Sequence, residues 1–93
     1  MKILRDEQVN EILKLLPEKF DSHTFIFEFM KKYPRDYTEE LCKYKDSNDP
    51  IRIFHAEIGK LLKHNSNLNA LGKDSTRNVR GLHSYNEKWQ KLY

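Results

Sequence analysis

The sequence predicts a mainly α fold: a compact domain of four helices, followed by a C-terminal β-hairpin and a short terminal helix, with residues 1–93 forming a single domain. Three observations predict it. Apolar residues recur at spacings of three, four and seven in four separate stretches between Asp6 and Asn65. Pro17, Pro34 and Pro50 punctuate those stretches at positions that end one helix or begin the next. Beyond Asn65 the helical spacing is lost, and the turn formers Gly72-Lys73-Asp74-Ser75-Thr76 separate two short segments, Leu68–Leu71 and Val79–Leu82.

The first helix is expected from Asp6, with Val9, Ile12, Leu13, Leu16 and Phe20 on one stripe and its end near Leu16, ahead of Pro17. The second spans DSHTFIFEFMKKY, capped by Asp21 or Ser22, with Phe25, Ile26, Phe29, Met30 and Tyr33 on a broad apolar side. The alternation from Phe25 to Phe29 also suits a strand, but the flanking cap and a length of about a dozen residues favour helix. Aromatic residues at this spacing are expected in the core. Asp36-Tyr37-Thr38-Glu39 has the form of a capping box and opens a short third helix carrying Leu41 and Tyr44.

The fourth helix, Asp49 to Asn65, carries the strongest signal. Asp49 can accept from the free N–H groups of the first turn, and Pro50 suits the first helical position because its ring already holds a helical φ. Ile51, Phe54, Ile58, Leu61 and Leu62 share one stripe. Gly59 interrupts it, at a cost of about 1 kcal/mol relative to alanine, which suggests the close approach of another backbone. After the hairpin, Ser84-Tyr85-Asn86-Glu87 again has the form of a capping box, so a terminal helix carrying Trp89 and Leu92 is expected to pack back on the core.

Composition narrows the functional class. A chain that is 38% hydrophobic and 33% charged, with five Phe, five Tyr and one Trp, can bury a modest core. The single Cys42 cannot form an internal disulfide, and no apolar run has the form of a secretory leader or a membrane span, so a cytoplasmic location is expected. His23, His55, His64 and His83 show none of the short spacings of a zinc site, and the glycines at 59, 72 and 81 match neither nucleotide-binding fingerprint. Four surface histidines and a buried thiol are expected, with no cofactor and no metal. Ser75, Ser84 and Cys42 have no activating context, so the chain reads as a binding protein and not an enzyme.

Charge supplies the positive indication. Residues 1–49 hold 9 Lys/Arg against 11 Asp/Glu, whereas residues 50–93 hold 8 against 3. A net charge of −2 thus adjoins one of +5, the asymmetry expected when one face meets a polyanion. Lysine and arginine gain free energy at a phosphate backbone by releasing counterions, and small polar residues can bond phosphate oxygens. Lys60, Lys63, Lys73, Arg77 and Arg80 are the candidate contacts. Arg52 and His55 lie early on the fourth helix, where a recognition helix meets base edges.

The order of elements, with DSHTFIFEFMKKY, YTEELCKY, DPIRIFHAEIGKLLKHN and the hairpin LNALGKDSTRNVRGL, resembles the winged helix-turn-helix class of DNA-binding domains. The resemblance covers most of the chain as a pattern of elements and leaves the first helix as an addition. It implies that the Asp49–Asn65 helix enters the major groove of duplex DNA, with Arg52, His55 and Lys60 facing it. It also implies that Lys73, Arg77 and Arg80 of the hairpin touch the adjoining backbone. A binder of two half-sites would act as a homodimer. The alternative is a protein-interaction or inhibitor module whose basic face binds an acidic partner protein, because fold does not fix function.

Overall fold

The structure, a computed structural model, describes residues 4–92. Its elements in chain order are α1 (Asp6–Lys14), β1 (Lys19–Asp21), α2 (Ser22–Lys32), α3 (Pro34–Cys42), α4 (Pro50–Lys63), β2 (Leu68–Arg77) and β3 (His83–Lys91). The strands form one antiparallel sheet in the order β1-β3-β2. The fold is therefore mixed, four helices against a three-stranded sheet, and not mainly α.

The helix starts follow local chemistry. Asp21 accepts from the Thr24 backbone N–H at 2.8 Å and opens α2, and Asp49 accepts from the Arg52 N–H at 3.3 Å and opens α4. The second stretch is a helix throughout, so the alternation from Phe25 to Phe29 does not make a strand. α3 begins at Pro34 with Tyr33 before it, two residues earlier than the expected box at Asp36. The Asp36 carboxylate instead accepts from Gln8 Nε2 at 2.7 Å and ties α3 to α1.

α2 is the central helix and packs against α1, α3, α4, β1 and β3. Phe25 and Phe29 of α2 are fully buried, as are Ile12 and Leu13 of α1 and Phe54, Ile58 and Leu62 of α4. Trp89 of β3 lies against the same core, and its indole N–H donates to Ser22 Oγ at 2.9 Å, fastening the start of α2 to the sheet.

Several expectations fail where the sheet forms. Phe20, placed by spacing on the first helix, lies in β1 opposite Trp89. α1 ends at Lys14, and three residues are too few to show a strand period. The expected terminal helix does not form: residues 84–87 lie within β3, the central strand, which is paired on both sides. A capping signature worth roughly 1 kcal/mol is outweighed there by the backbone ladder to β2 and, farther along the same strand, by the ladder to β1 and the burial of Trp89. Leu92 is exposed and does not join the core.

The hairpin is longer than expected, and its turn lies elsewhere. β2 runs through the turn formers at 72–76, where a register shift between Ala70 and Gly72 leaves Leu71 as the extra residue of a β-bulge. Gly72, at φ +107°, permits it, and its N–H donates to the Glu87 carboxylate at 2.6 Å. The chain reverses at residues 78–82. There Asn78 Oδ1 accepts from the N–H groups of Arg80 at 2.9 Å and Leu82 at 3.2 Å, and Gly81 takes φ +79°.

Candidate functional site

Ladder register decides what the hairpin offers. Ala70 pairs with Trp89, Lys73 with Glu87 and Ser75 with Tyr85, so these six residues share one face of β2 and β3. α4 crosses in front of that face with Arg52, Ala56, Gly59, Lys60 and Lys63 on one stripe, as their spacings of three and four require. Between the two lies an open cleft of about 610 Å³.

Six of the seven sequence-derived contact residues line this cleft: Arg52, His55, Lys60 and Lys63 from the helix, Lys73 from β2 and Arg80 from the hairpin turn. Arg77 lies exposed near the end of β2 and is not part of it. Lys88 pairs across the strands with Asp74 at 3.2 Å, and Lys91 donates to the Leu16 carbonyl at 2.6 Å, so neither serves the cleft. Glu57, which would repel a phosphate, pairs with Lys60 at 3.1 Å and stays outside the lining. Only Asp49 and Glu87 bring negative charge to the walls, against five basic side chains.

The five bases are not equivalent. Arg80 makes a two-pronged contact with Asp49, its Nη1 lying 3.3 Å from Oδ2, and so joins the hairpin turn to the first turn of α4. Arg52 Nε lies 3.5 Å from the same carboxylate. The Asp49 carboxyl is held below the usual carboxylate range, chiefly by the Arg80 hydrogen bonds, which outweigh desolvation, and further by the Arg52 N–H and the two guanidinium charges. Lys63 and Lys73 have no ion-pair partner among the described residues.

The polar network around His23 is satisfied. Asn86 Oδ1 accepts from the His23 N–H at 3.0 Å, and its Nδ2 donates to Thr76 Oγ1 at 2.9 Å and to the Asp74 carbonyl at 3.2 Å. The His23 ring spans Thr76 Oγ1, 2.9 Å from Nδ1, and Ser84 Oγ, 3.2 Å from Nε2. Among the described residues no buried side-chain polar atom lacks a partner, so this network is complete without a ligand. His55 forms a 2.7 Å hydrogen bond with the Tyr37 hydroxyl. Burial, helped by the positive charges of His23 and Arg80, lowers its pKa to about 4, so it faces the cleft as a neutral ring.

Sequence reasoning missed Tyr85 and placed Gly59 wrongly. Tyr85 was read as part of a helix start, yet on β3 it is 77% exposed and, like Leu82, lines the cleft. At Gly59 an added Cβ would meet no heavy atom within 4 Å, so no backbone approaches it. Ala56 and Gly59 instead make a low wall that widens the cleft. Gly59→Ala is therefore expected to raise stability by about 0.5–1 kcal/mol, seen as a higher urea midpoint at unchanged slope. An unchanged or lower midpoint would mean that the glycine meets a steric need.

Cys42 is exposed at the end of α3 and not buried. Of the histidines, His23 is buried, His55 half-buried, and His64 and His83 exposed. Among the described residues no three His, Cys, Asp or Glu side chains come together as a metal site. No helix of the described residues is long and apolar enough to cross a membrane. Comparison with protein-family models, curated proteins and solved structures finds no match to this chain.

Proposed function

We propose that the protein binds duplex DNA through the face formed by α4 and the β2–β3 hairpin. The observation that carries this reading is the gathering of Arg52, Lys60, Lys63, Lys73 and Arg80 around one cleft, although they are spread over 29 residues of sequence and three elements. A phosphate backbone running along the cleft would meet basic side chains on both walls and release the counterions held there. The winged helix-turn-helix resemblance supplies the pose, with α4 directed to the major groove and the hairpin along the adjoining strand. His55 has a smaller part in this reading than its helix position suggests. Its Nε2 is engaged by Tyr37, and a neutral ring offers no charge to a phosphate.

Fluorescence anisotropy with a mixed-sequence duplex tests the proposal. Neutralisation of about three to five phosphates gives a slope of roughly −3 to −4.5 in log K against log salt, or about a hundredfold loss of affinity between 50 and 200 mM. Lys63→Glu with Lys73→Glu is expected to flatten that slope by about 2 while leaving the melting curve in place, because both side chains are exposed and free of ion pairs. Absence of binding at micromolar protein and about 50 mM salt would overturn the reading, since non-specific affinity is already visible under those conditions.

A further inference from the structure

We propose that the cleft between α4 and the hairpin takes an unpaired nucleobase, stacked on Tyr85, so that the protein prefers nucleic acid with a single-stranded stretch to a fully paired duplex. This inference rests on the nucleic-acid reading of the same face and adds what the cleft itself selects.

Tyr85 is the first ground. It is 77% exposed and lines the cleft, and the register places it opposite Ser75 and two pairs along from Lys73 and Glu87, on the same face of the hairpin. An aromatic face beside basic side chains is how single-strand binders hold bases: the cations track the backbone and the ring takes the base. A paired base in a duplex presents only its edge, and its two faces are covered by neighbours. Only an unpaired base has a face to lay on Tyr85.

The walls are the second ground. Opposite the hairpin, α4 presents Ala56 and Gly59 in the middle of its stripe, with Arg52 on one side and Lys60 and Lys63 on the other. Small residues leave space at the centre while the charges stand at the margins, which suits a flat apolar group carried between two phosphates. The open space at Gly59 has the same sense. A volume of about 610 Å³ lies within the range of roughly 300–1,000 Å³ typical of small-ligand sites. That size suits a nucleotide-sized group.

The lining is the third. Ile26, Ile51, Val79 and Leu82 contribute apolar surface to the same cleft, and Leu82 is 61% exposed. A contact made with phosphates alone would leave that surface wet, whereas a base would cover it. With no buried side-chain polar atom among the described residues left unpaired, recognition by stacking and charge, without a base-edge code, is the consistent outcome.

The test compares three labelled probes by anisotropy at one salt concentration: a thymidine 12-mer, a 12-mer of abasic sites with the same phosphates, and a blunt 12-base-pair duplex. The thymidine strand is expected to bind the protein more tightly than either of the others. Tyr85→Ala is expected to weaken thymidine binding about 5- to 150-fold and to leave abasic binding unchanged. Gly59→Leu, which fills the low wall from a position where added atoms meet nothing, is expected to weaken thymidine binding selectively without lowering the melting temperature. Equal binding of thymidine and abasic strands, or thymidine binding insensitive to Tyr85→Ala, would overturn the stacking site. If the duplex still bound with a steep salt slope, the nucleic-acid reading would stand. Failure of all three probes would overturn both. Binding of poly-glutamate as tight as that of thymidine and unaffected by Tyr85→Ala would replace the base with an acidic protein segment.

Discussion

Phe54→Ala is expected to lower the stability of the fold by about 3–5 kcal/mol, the largest loss from any single truncation considered. Phe54 is fully buried and stands where α2, α3 and α4 meet. Its ring lies 5.3 Å from Tyr37, 6.4 Å from Phe29 and, stacked, 5.6 Å from Tyr44. Truncation removes the transfer free energy of the ring and leaves a cavity among three aromatic side chains that cannot all close on it. A domain of this size commonly holds only about 5–15 kcal/mol in total, so the variant should be close to its unfolding midpoint without denaturant. Urea unfolding followed by circular dichroism checks this, with Phe27→Ala on the exposed side of α2 expected to cost under about 1 kcal/mol. A similar loss from both would show that the aromatic cluster is not the centre of the core.

Stability is expected to fall as pH is lowered from about 7.5 toward 5, above the range in which ordinary carboxylates titrate. His55 has a folded pKa of about 4 against about 6.5 in an unfolded chain. Between those values the unfolded state takes up a proton that the folded state refuses, so stability rises with pH through this window and is complete above it. His23, lowered chiefly by burial and only partly offset by Asp21, acts in the same direction. Asp49 and Asp74, each held low chiefly by hydrogen bonds from basic side chains, contribute stability that is lost only at lower pH. For a half-buried ring, solvent screening reduces the effect to on the order of 1–2 kcal/mol between about pH 7.5 and pH 5. Melting temperatures of the native chain and of His55→Gln at those two pH values measure it. The native chain should lose several degrees and the variant distinctly fewer; equal losses would show that His55 is not the group responsible.

The cleft ties these two effects to function. Phe54 and His55 are neighbours on α4: one ring lies in the core and the other reaches Tyr37 at the edge of the cleft. Protonation of His55 would place a charge against Arg80 and His23, the cations that already depress its pKa.

How much could be read from the sequence follows from the range of the interactions involved. α2 and α4 were legible because an Asp cap and an apolar stripe act within a few residues, and both helices begin at the expected caps. The charged face of the cleft was legible in part. Arg52, Lys60, Lys63, Lys73 and Arg80 could be named from charge asymmetry, but their convergence could not. Arg77 belonged to the same run of sequence, and the structure leaves it outside the cleft.

The sheet was not legible. β1 has three residues and exists because β3, more than sixty residues later, offers a free edge. Gly72, expected in the turn, marks a bulge, and the turn falls at Gly81, because the pairing of Trp89 with Phe20 and Ala70 sets the register from the core end. Tyr85 then follows the strand's two-residue period onto the cleft face, where helical spacing would have placed it elsewhere. The sequence alone thus determined the four helical stretches, the caps of α2 and α4 and the surplus of positive charge after Pro50, all set by local spacing and composition. Only the tertiary structure decided the sheet, the cleft and Tyr85's place in it, since strand pairing couples residues that no local pattern connects.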